Sequence, residues 1–334
     1  MTEIQTVTGP VDSAELGVTL MHEHIFTLTT EVQQNYPEEW GSEEDRVADA
    51  VDKLTRAADA GVRTIVDPTV IGLGRYLPRI QRVTAELASQ QVPLRIVAAT
   101  GVYTYNDVPF FFHHRGPALD EALGTSVPDP MVDLFVRDIE DGIADTGVRA
   151  GMLKCAIDAP GLTPGVERVM RAVAKAHHRT GVPITVHTHP TTRTGLDVER
   201  VLCDEEGVDP GRVVLGHSGD ATDVDHLTEL AEAGFVLGMD RFGINLDTTF
   251  EARADTLVEM VQRGYGDRMV LSQDASCYID WIDPEVMAFL PQWHYTHLFE
   301  DVFPYVLDRG VTQEQLDTML VDVPRGFFEA AATR

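Results

Sequence analysis

The chain has 334 residues, 43% of them hydrophobic, and a formal net charge of -28 at neutral pH. That hydrophobic content is enough for a large buried core, whereas a surface this acidic excludes nucleic acid and anionic membranes as expected partners. The apolar runs are too short to cross a membrane, and the N-terminus lacks the pattern of a secretion signal. The three cysteines are odd in number and far apart, so we expect free thiols and a cytoplasmic location.

Short apolar runs recur along the whole chain and alternate with amphipathic stretches. Near-continuous apolarity is typical of parallel strands that are buried on both faces. The eight runs that predict strands are Val18–Met21, Thr64–Val66, Leu94–Ala98, Gly151–Cys155, Pro183–Val186, Arg212–Leu215, Phe235–Gly238 and Met269–Leu271.

Between these runs, helical periodicity predicts helices such as Glu44–Ala60, Asp133–Asp145 and Glu167–Arg179. Gly61 directly follows the first of them, where a helix is expected to stop before the next strand. Eight strands that alternate with helices, without a linker, predict an α/β fold: one (β/α)8 TIM barrel over residues 1–334. An open doubly wound sheet is the alternative, and it is less favoured because no Gly-rich phosphate-binding motif follows the first strand.

Residues suited to metal binding stand at the C-terminal ends of five predicted strands, in LMHEH, GMLKC, TVHTH, VLGHS and LSQDA. This rim is where barrels build active sites. His22 and His24 are two residues apart, so on a strand their side chains point to the same face and can chelate one metal. An isolated pair is more often two hydrogen-bonded side chains, but ligand-type residues on the other strands favour a metal site.

Lys154 interrupts an apolar strand between Leu153 and Cys155. A lysine inside a barrel is costly as a cation, so its pKa is expected to fall. A neutral amine can add carbon dioxide and become a carbamate, which could bridge two metal ions. On the local sequence alone, pairing with Asp158 or extension to the rim is an equally good interpretation, and the neighbouring histidines favour the bridge.

His187 and His217 end the fifth and sixth predicted strands, and one imidazole from each suits a second metal. His189 shares a face with His187, so the sequence leaves open which of them binds. We assign His187 because it is nearer the strand. Asp274 follows the eighth strand, where a carboxylate can bind the first metal and accept a proton from a metal-activated water, although a helix N-cap is an alternative role.

The ordered set His22-x-His24, Lys154, His187, His217 and Asp274 resembles the phosphotriesterase family of the amidohydrolase superfamily. The similarity runs from end to end and includes LMHEHIF, VIGLGRY, DTGVRAGMLKCA and GMDRFGI. By this resemblance, the first two histidines and the aspartate hold the more buried ion, the other two histidines hold the more exposed ion, and the carboxylated lysine bridges them. It implies two divalent ions, zinc by preference, with cobalt, manganese or iron as alternatives.

Within that family, the chain is most similar to the lactonases that open N-acylhomoserine lactones. In that branch a tyrosine after the third strand and an arginine after the seventh line the lactone site, and here these are Tyr103 and Arg241. The resemblance implies that Tyr103 orients the lactone ring and that Arg241 shapes the site through hydrogen bonds to loop backbone. Gln273 departs from many lactonases, which have histidine there, but it removes no expected ligand.

The expected activity is therefore metal-dependent opening of a lactone ring, as in quorum quenching, with a weak side activity on organophosphate triesters. The apolar segment Cys277–Trp293 is expected to hold an acyl chain, although a cap on the barrel or a dimer contact fits it nearly as well. A phosphotriesterase is the nearest alternative, and a non-catalytic metal-binding barrel is the other. We expect the protein to be a homodimer.

Overall fold

The computed structural model describes residues 2–117, 123–124, 126–246 and 248–330. A short antiparallel hairpin of two strands precedes the main parallel sheet. The strands in chain order are β1 (Glu3–Thr6), β2 (Gly9–Asp12), β3 (Thr19–Leu20), β4 (His24–Thr27), β5 (Thr64–Asp67), β6 (Arg95–Gly101), β7 (Met152–Ala156), β8 (Ile184–His187), β9 (Val213–Gly216), β10 (Val236–Met239), β11 (Met269–Leu271) and β12 (Ser276–Ile279).

Helices lie between the strands and after the last of them. The longer ones are Glu43–Asp59, Leu77–Ser89, Pro130–Glu140, Pro164–Thr180, Val224–Glu232 and Phe250–Gln262. The shorter ones include Thr30–Asn35, Pro37–Trp40, Phe110–His113, Gly195–Val198 continued by Glu199–Glu205, Pro284–Met287, Leu298–Val302 continued by Phe303–Leu307, and Gln313–Asp317, Thr318–Asp322 and Val323–Ala330. Within the described residues, none of the helices combines the length and the apolar character needed to cross a membrane.

The main sheet runs in chain order through β3, β5, β6, β7, β8, β9, β10 and β11. Neighbouring strands are parallel, with Lys154 of β7 opposite Thr185 of β8, for example. Each of the eight apolar runs overlaps one of these strands, so the predicted (β/α)8 barrel is confirmed. A doubly wound sheet would show a reversal of strand order, and this sheet has none in the described residues.

The barrel closes where its first and eighth strands meet. The ladder ends at β3 on one side and β11 on the other, and the chain continues into β4 and β12, which pair in parallel with Ser276 opposite His24. Beside that pair, the His22 N–H donates to the Ser272 hydroxyl at 2.9 Å, and the Asp274 N–H donates to the His22 carbonyl at 3.2 Å. The closure therefore involves the residues that the sequence assigns to the metal site.

Local sequence explains where the long helices begin and end. Ser42 caps the helix Glu43–Asp59 by accepting a hydrogen bond from the Asp45 N–H at 3.2 Å. The acidic residues of its first turn favour the positive end of the helix dipole. Gly61, at a φ of +111°, then takes a backbone conformation that side chains disfavour. This predicted helix is confirmed within one residue at each end.

The prediction of a helix over Asp133–Asp145 was wrong at both ends, since the helix spans Pro130–Glu140. Asp129 accepts a hydrogen bond from the Met131 N–H at 3.0 Å and thereby starts the helix early, with Pro130 in its first turn. Ile143, which lies within the predicted range, is buried in the core from a bend after the helix. Apolar spacing alone did not distinguish the two.

Side-chain alternation along the strands separates the barrel interior from the layer beneath the helices. Along β7, Met152 belongs to an interior cluster, whereas Leu153 packs in the layer between strands and helices. The interior cluster also contains Val66, Val97, Val214, Val236, Val270, Phe327 and Phe328. It makes one end of the barrel apolar, and Lys154, two residues beyond Met152, enters the interior towards the other end.

A steric test of this strand packing is available at Gly101, which faces Lys154 across β6 and β7 and has a φ of +149°. A Cβ there would lie 1.8 Å from the Lys154 carbonyl oxygen. We predict that Gly101→Ala costs about 1–3 kcal/mol more stability than Gly61→Ala, because Gly61 also has positive φ but nothing within 4 Å of an added Cβ. Urea unfolding of both variants measures the difference. Equal losses would show that backbone conformation alone sets the cost.

Candidate metal centre

The structure brings together all six side chains that the sequence predicts to bind metal. Five of them are buried, and the side chain of the sixth, Asp274, is 13% exposed. They lie at the carboxyl ends of the barrel strands, with His22 and His24 after β3, Lys154 in β7, His187 ending β8, His217 after β9 and Asp274 after β11.

The Asp274 carboxylate lies in the middle of this cluster. Its Oδ1 is 3.7 Å from His22 Nε2 and 3.4 Å from His24 Nε2, and its Oδ2 is 3.9 Å from His217 Nδ1. Burial by itself would raise the pKa of Asp274, but the neighbouring imidazoles and Arg241 hold that pKa well below its usual range. The carboxylate is therefore ionised at neutral pH and favours a cation beside it.

The strand geometry expected for His22 and His24 is only partly correct. β3 ends at Leu20 and β4 begins at His24, so His22 lies in the bend between the two strands. The rings nevertheless lie close together, with centroids 5.6 Å apart, and both face Asp274. The hydrogen bond from the Asp274 N–H to the His22 carbonyl places this bend against the eighth strand.

Asp240 belongs to the cluster and was missed by the sequence analysis. It follows β10 and is fully buried. Its Oδ1 accepts hydrogen bonds from the backbone N–H of His217 at 2.7 Å and from Nδ1 of that residue at 3.0 Å, and its Oδ2 lies 3.2 Å from His22 Nδ1. The signal was available, because Asp240 is a carboxylate at the end of the seventh strand, next to Arg241.

Asp67 and Thr69 are two further residues that the sequence analysis missed. The Thr69 hydroxyl donates to Asp67 Oδ1 at 2.5 Å, so its oxygen can accept the hydrogen bond from His24 Nδ1 at 2.7 Å. This arrangement leaves Nε2 of His24 facing Asp274 Oδ1 at 3.4 Å, free of the hydroxyl that Nδ1 contacts. Asp67 ends β5, which is again a polar residue at the carboxyl end of a strand.

His187, rather than His189, joins the cluster. Its Nε2 donates to Asp158 Oδ2 at 2.5 Å, and its ring centroid lies 4.4 Å from that of His217. Burial lowers the pKa of His187 to about 3 against the opposing effect of Asp158, so the imidazole is neutral, as a metal ligand must be. His189 instead shares a hydrogen bond with the Thr192 hydroxyl at 2.9 Å.

The Lys154 amine is enclosed beside the cluster. The side chain is 1% exposed, and its Nζ has no hydrogen-bond partner among the described residues. Asp158, the partner considered from the sequence, bonds to His187 instead. Burial lowers the pKa of Lys154 to about 8. An enclosed amine with a neutral fraction at physiological pH has the chemistry that carbamate formation requires.

Arg241 contacts carboxylates, whereas the resemblance suggested loop backbone. Its Nε donates to Asp274 Oδ2 at 3.1 Å and its Nη1 donates to Asp220 Oδ2 at 3.1 Å. The other oxygen of Asp220 accepts a hydrogen bond from buried Arg253 at 2.7 Å. The two arginines and two carboxylates form a continuous chain of charge-assisted hydrogen bonds, which fixes the guanidinium against the metal cluster.

Tyr103 lies at the edge of the cluster. Its hydroxyl is hydrogen-bonded to the Tyr105 hydroxyl and lies 3.3 Å from His187 Nδ1. Its ring centroid is 5.9 Å from that of Trp281, whose side chain is 46% exposed. The apolar segment Cys277–Trp293 therefore reaches the edge of the metal cluster through Trp281.

Gln273 points away from the cluster, although it precedes Asp274. Its side chain is buried, and its Nε2 donates to the Tyr295 carbonyl at 2.8 Å. Trp293 is closer to the site, since its Nε1 donates to the Asp274 carbonyl at 2.9 Å. The segment after the eighth strand is thus tied at its far end to the backbone of Asp274.

The donor set fits divalent metal ions. In the part of the chain that the structure describes, two groups of three ligand atoms lie within 4.8 Å of one another: His22, His24 and Asp274, and His22, His217 and Asp240. The first is the trio predicted for the more buried ion, and the second adds the missed carboxylate. Each of the four imidazoles has one ring nitrogen beside a hydroxyl or carboxylate, which is how metal-binding histidines are oriented.

Comparison with known proteins identifies the family of the chain. The chain matches the Phosphotriesterase family model over residues 2–328. It is 57% identical over 330 residues to a phosphotriesterase homology protein of Mycobacterium tuberculosis, covering 98% of each chain. It is 38% identical over 321 residues to an aryldialkylphosphatase of Saccharolobus solfataricus, covering 95% of this chain and 96% of the relative.

Structural comparison gives the same relationship. The solved structure of the phosphotriesterase from Mycobacterium tuberculosis superposes with a TM-score of 0.93 at 57% identity, covering 98% of both chains. The family match over almost the whole chain, the sequence identity and the shared barrel agree, and the chain therefore belongs to the phosphotriesterase family of hydrolases.

Proposed function

We propose that this hydrolase opens the rings of neutral lactones, in particular N-acylhomoserine lactones, with two divalent ions at the metal centre. The observation that carries the proposal is the position of Tyr103, whose hydroxyl lies beside His187 while its ring contacts Trp281. This pairing sets a hydroxyl donor and an exposed aromatic surface side by side at the metal cluster. An acylated lactone uses both, the first at its polar ring and the second at its acyl chain.

The charge and polarity around the site support a neutral, partly apolar substrate. The net charge of -28 disfavours the approach of anions. The segment Cys277–Trp293 exposes Trp281, Val286 and Phe289, the last with 83% of its side chain accessible. Exposed aromatic and aliphatic groups next to a polar centre match a substrate that has a polar head and an apolar tail.

The metal assignment follows the donor groups described above, with zinc proposed and cobalt, manganese or iron as alternatives. When bound, two such ions supply a Lewis acid for the carbonyl group and a water of lowered pKa. Lys154, converted to a carbamate, would add a further negatively charged group to the cluster, beside Asp274 and Asp240, and bridge the ions. The proposed ligands are His22, His24 and Asp274 for one ion and His187 and His217 for the other.

The chain's own groups would then divide the remaining work. Asp274 accepts the proton of the attacking water and returns it to the alkoxide that leaves as the ring opens. Arg241 holds the Asp274 carboxylate in place through its Nε, and Asp220 in turn holds Arg241. Tyr103 donates a hydrogen bond from its hydroxyl to the lactone ring, and Trp281 covers the acyl chain.

The alternative is that phosphotriesters are the main substrates, and it is favoured by the name of the relative from Saccharolobus solfataricus, an aryldialkylphosphatase. Both substrate classes would use the same metal centre, so its ligands do not discriminate between them.

A cytoplasmic homodimer remains our proposal for the location and assembly, on the grounds of cysteine usage and the exposed apolar segment.

We predict that kcat/KM is roughly tenfold higher, or more, for N-acylhomoserine lactones than for aryl dialkyl phosphates. A roughly tenfold ratio corresponds to about 1.4 kcal/mol of transition-state stabilisation. Initial rates on a panel of both substrate classes, with metal content determined on the same sample, measure the ratio. A ratio in the opposite direction would make phosphotriester hydrolysis the main activity. No turnover at full metal content would support a non-catalytic barrel.

We predict that Trp281→Ser weakens hydrolysis of long-chain lactones more than that of short-chain ones. Each buried methylene contributes about 0.8 kcal/mol, so the loss in kcat/KM should grow with acyl length. Phe110→Ser is the control, because Phe110 is also an exposed aromatic residue (83%, against 46% for Trp281) but packs on His113 instead of Tyr103. A uniform loss across the series would instead indicate that the segment acts through folding or subunit contacts.

We predict that Lys154→Ala loses metal and activity, and that short carboxylic acids restore part of both by replacing the carbamate. Lys154→Arg should not be restored, because the guanidinium stays charged and cannot form a carbamate. Metal content and kcat are measured for both variants with and without added acid. The parental chain is expected to hold about two ions. An active Lys154→Arg enzyme would rule out the bridging role.

A further inference from the structure

Glu23 is the middle residue of the His-Glu-His motif, and it is fully buried. Its Oε1 accepts a hydrogen bond from the Gln273 N–H at 2.7 Å. Its Oε2 accepts one from the Ala275 N–H at 2.7 Å. The two amides that Glu23 binds are those on either side of Asp274.

The backbone at Asp274 is in an unusual conformation, with a φ of +53°. Non-glycine residues are uncommon in this left-handed region, although aspartate enters it more readily than most, and hydrogen bonds from the surroundings stabilise it there. The Asp274 N–H donates to the His22 carbonyl at 3.2 Å. The consecutive amides of Gln273, Asp274 and Ala275, after the eighth barrel strand, therefore all donate to residues that follow the first barrel strand. Glu23 accepts two of these three hydrogen bonds and the His22 carbonyl accepts the third.

A carboxylate is the side chain that suits this arrangement, because it offers two acceptor oxygens and no competing donor when ionised. Main-chain hydrogen bonds at this joint run from the Asp274 N–H to the His22 carbonyl and from the His24 N–H to the Ala275 carbonyl. The amides of Gln273 and Ala275 are bound by Glu23 instead, at the joint where metal ligands of both strands meet.

We propose that Glu23 is a positioning residue: by binding the amides on both sides of Asp274, it holds that residue in its left-handed conformation and directs its carboxylate at His22 and His24. The inference rests on the proposed role of Asp274 as a metal ligand. Glu23 does not touch metal or substrate, and its effect passes through the backbone of Asp274. Barrel closure alone is the rival explanation for the same hydrogen bonds.

The experiment compares Glu23→Gln with a matched buried carboxylate elsewhere in the barrel. Asp138 is 2% exposed and accepts hydrogen bonds from Arg75 at 2.8 Å and Thr100 at 2.7 Å, so Asp138→Asn loses comparable bonds without reaching Asp274. Zinc affinity by competition with a chelator, Tm of the metal-free proteins and lactone kinetics are measured on both variants and on the parent. If Glu23→Gln does not fold, Glu23→Asp replaces it, since it keeps the charge but is too short to reach both amides.

We expect the Glu23 variant to bind zinc roughly 10- to 100-fold more weakly, with kcat reduced and KM for the lactone nearly unchanged. We expect Asp138→Asn to lower the Tm while zinc affinity and kcat stay at parental values. A Glu23 variant with lowered Tm but parental zinc affinity would overturn the proposal, as would failure of both Glu23 variants to fold.

Asp274→Ala, which removes both carboxylate oxygens, is measured alongside and separates this inference from the proposed function. Parental zinc affinity in Asp274→Ala would show that Asp274 is not a ligand, and the proposed metal site would then fail. Weakened affinity in Asp274→Ala together with parental affinity in the Glu23 variant would refute only the positioning role.

Discussion

The exclusion of water from a cluster of ionisable groups is the constraint on which the working end of this barrel depends. Lys154, Asp240 and four imidazoles are nearly inaccessible to solvent, and an unmatched charge in such a place is costly. Neighbouring groups satisfy much of this need, as when Asp240 accepts two hydrogen bonds from His217. Lys154 Nζ and Asp240 Oδ2 have no hydrogen-bond partner in the described parts of the chain. The proposed carbamate would neutralise the Lys154 amine, and the proposed divalent ions would place positive charge beside Asp240.

The joint between the first and eighth strands connects this electrostatic requirement to the fold. Regular ladder pairing stops there, and His22 leaves strand conformation just where its ring must meet Asp274. Here the Ser272 hydroxyl accepts a hydrogen bond from the His22 N–H, and the Glu23 carboxylate accepts one from the Gln273 N–H. The barrel is therefore closed by the same residues that present the ligands, so a change in closure is a change in the site.

Rigid strands and a longer surface segment have different tasks in this arrangement. The proposed ligands lie on or next to barrel strands, where packing limits their movement. The groups that would contact an acyl chain belong to Cys277–Trp293, which is anchored by the Trp293 bond to Asp274 but exposes Trp281 and Phe289. Within one metal chemistry, differences in this segment would change the preferred substrate, as is common for loops on a rigid scaffold.

The sequence by itself determined the eight strands, the barrel and the six proposed ligands, because short local patterns of residues identify buried parallel strands and the polar residues at their ends. Only the tertiary structure decided that Asp240 and Asp67 support the cluster and that Gln273 turns away from it. The same is true of Glu23, which binds backbone amides that follow the eighth strand. Those outcomes depend on distances between segments that are up to about 250 residues apart in the chain. No local periodicity encodes such distances, since they follow from how a closed barrel brings its first and last strands side by side.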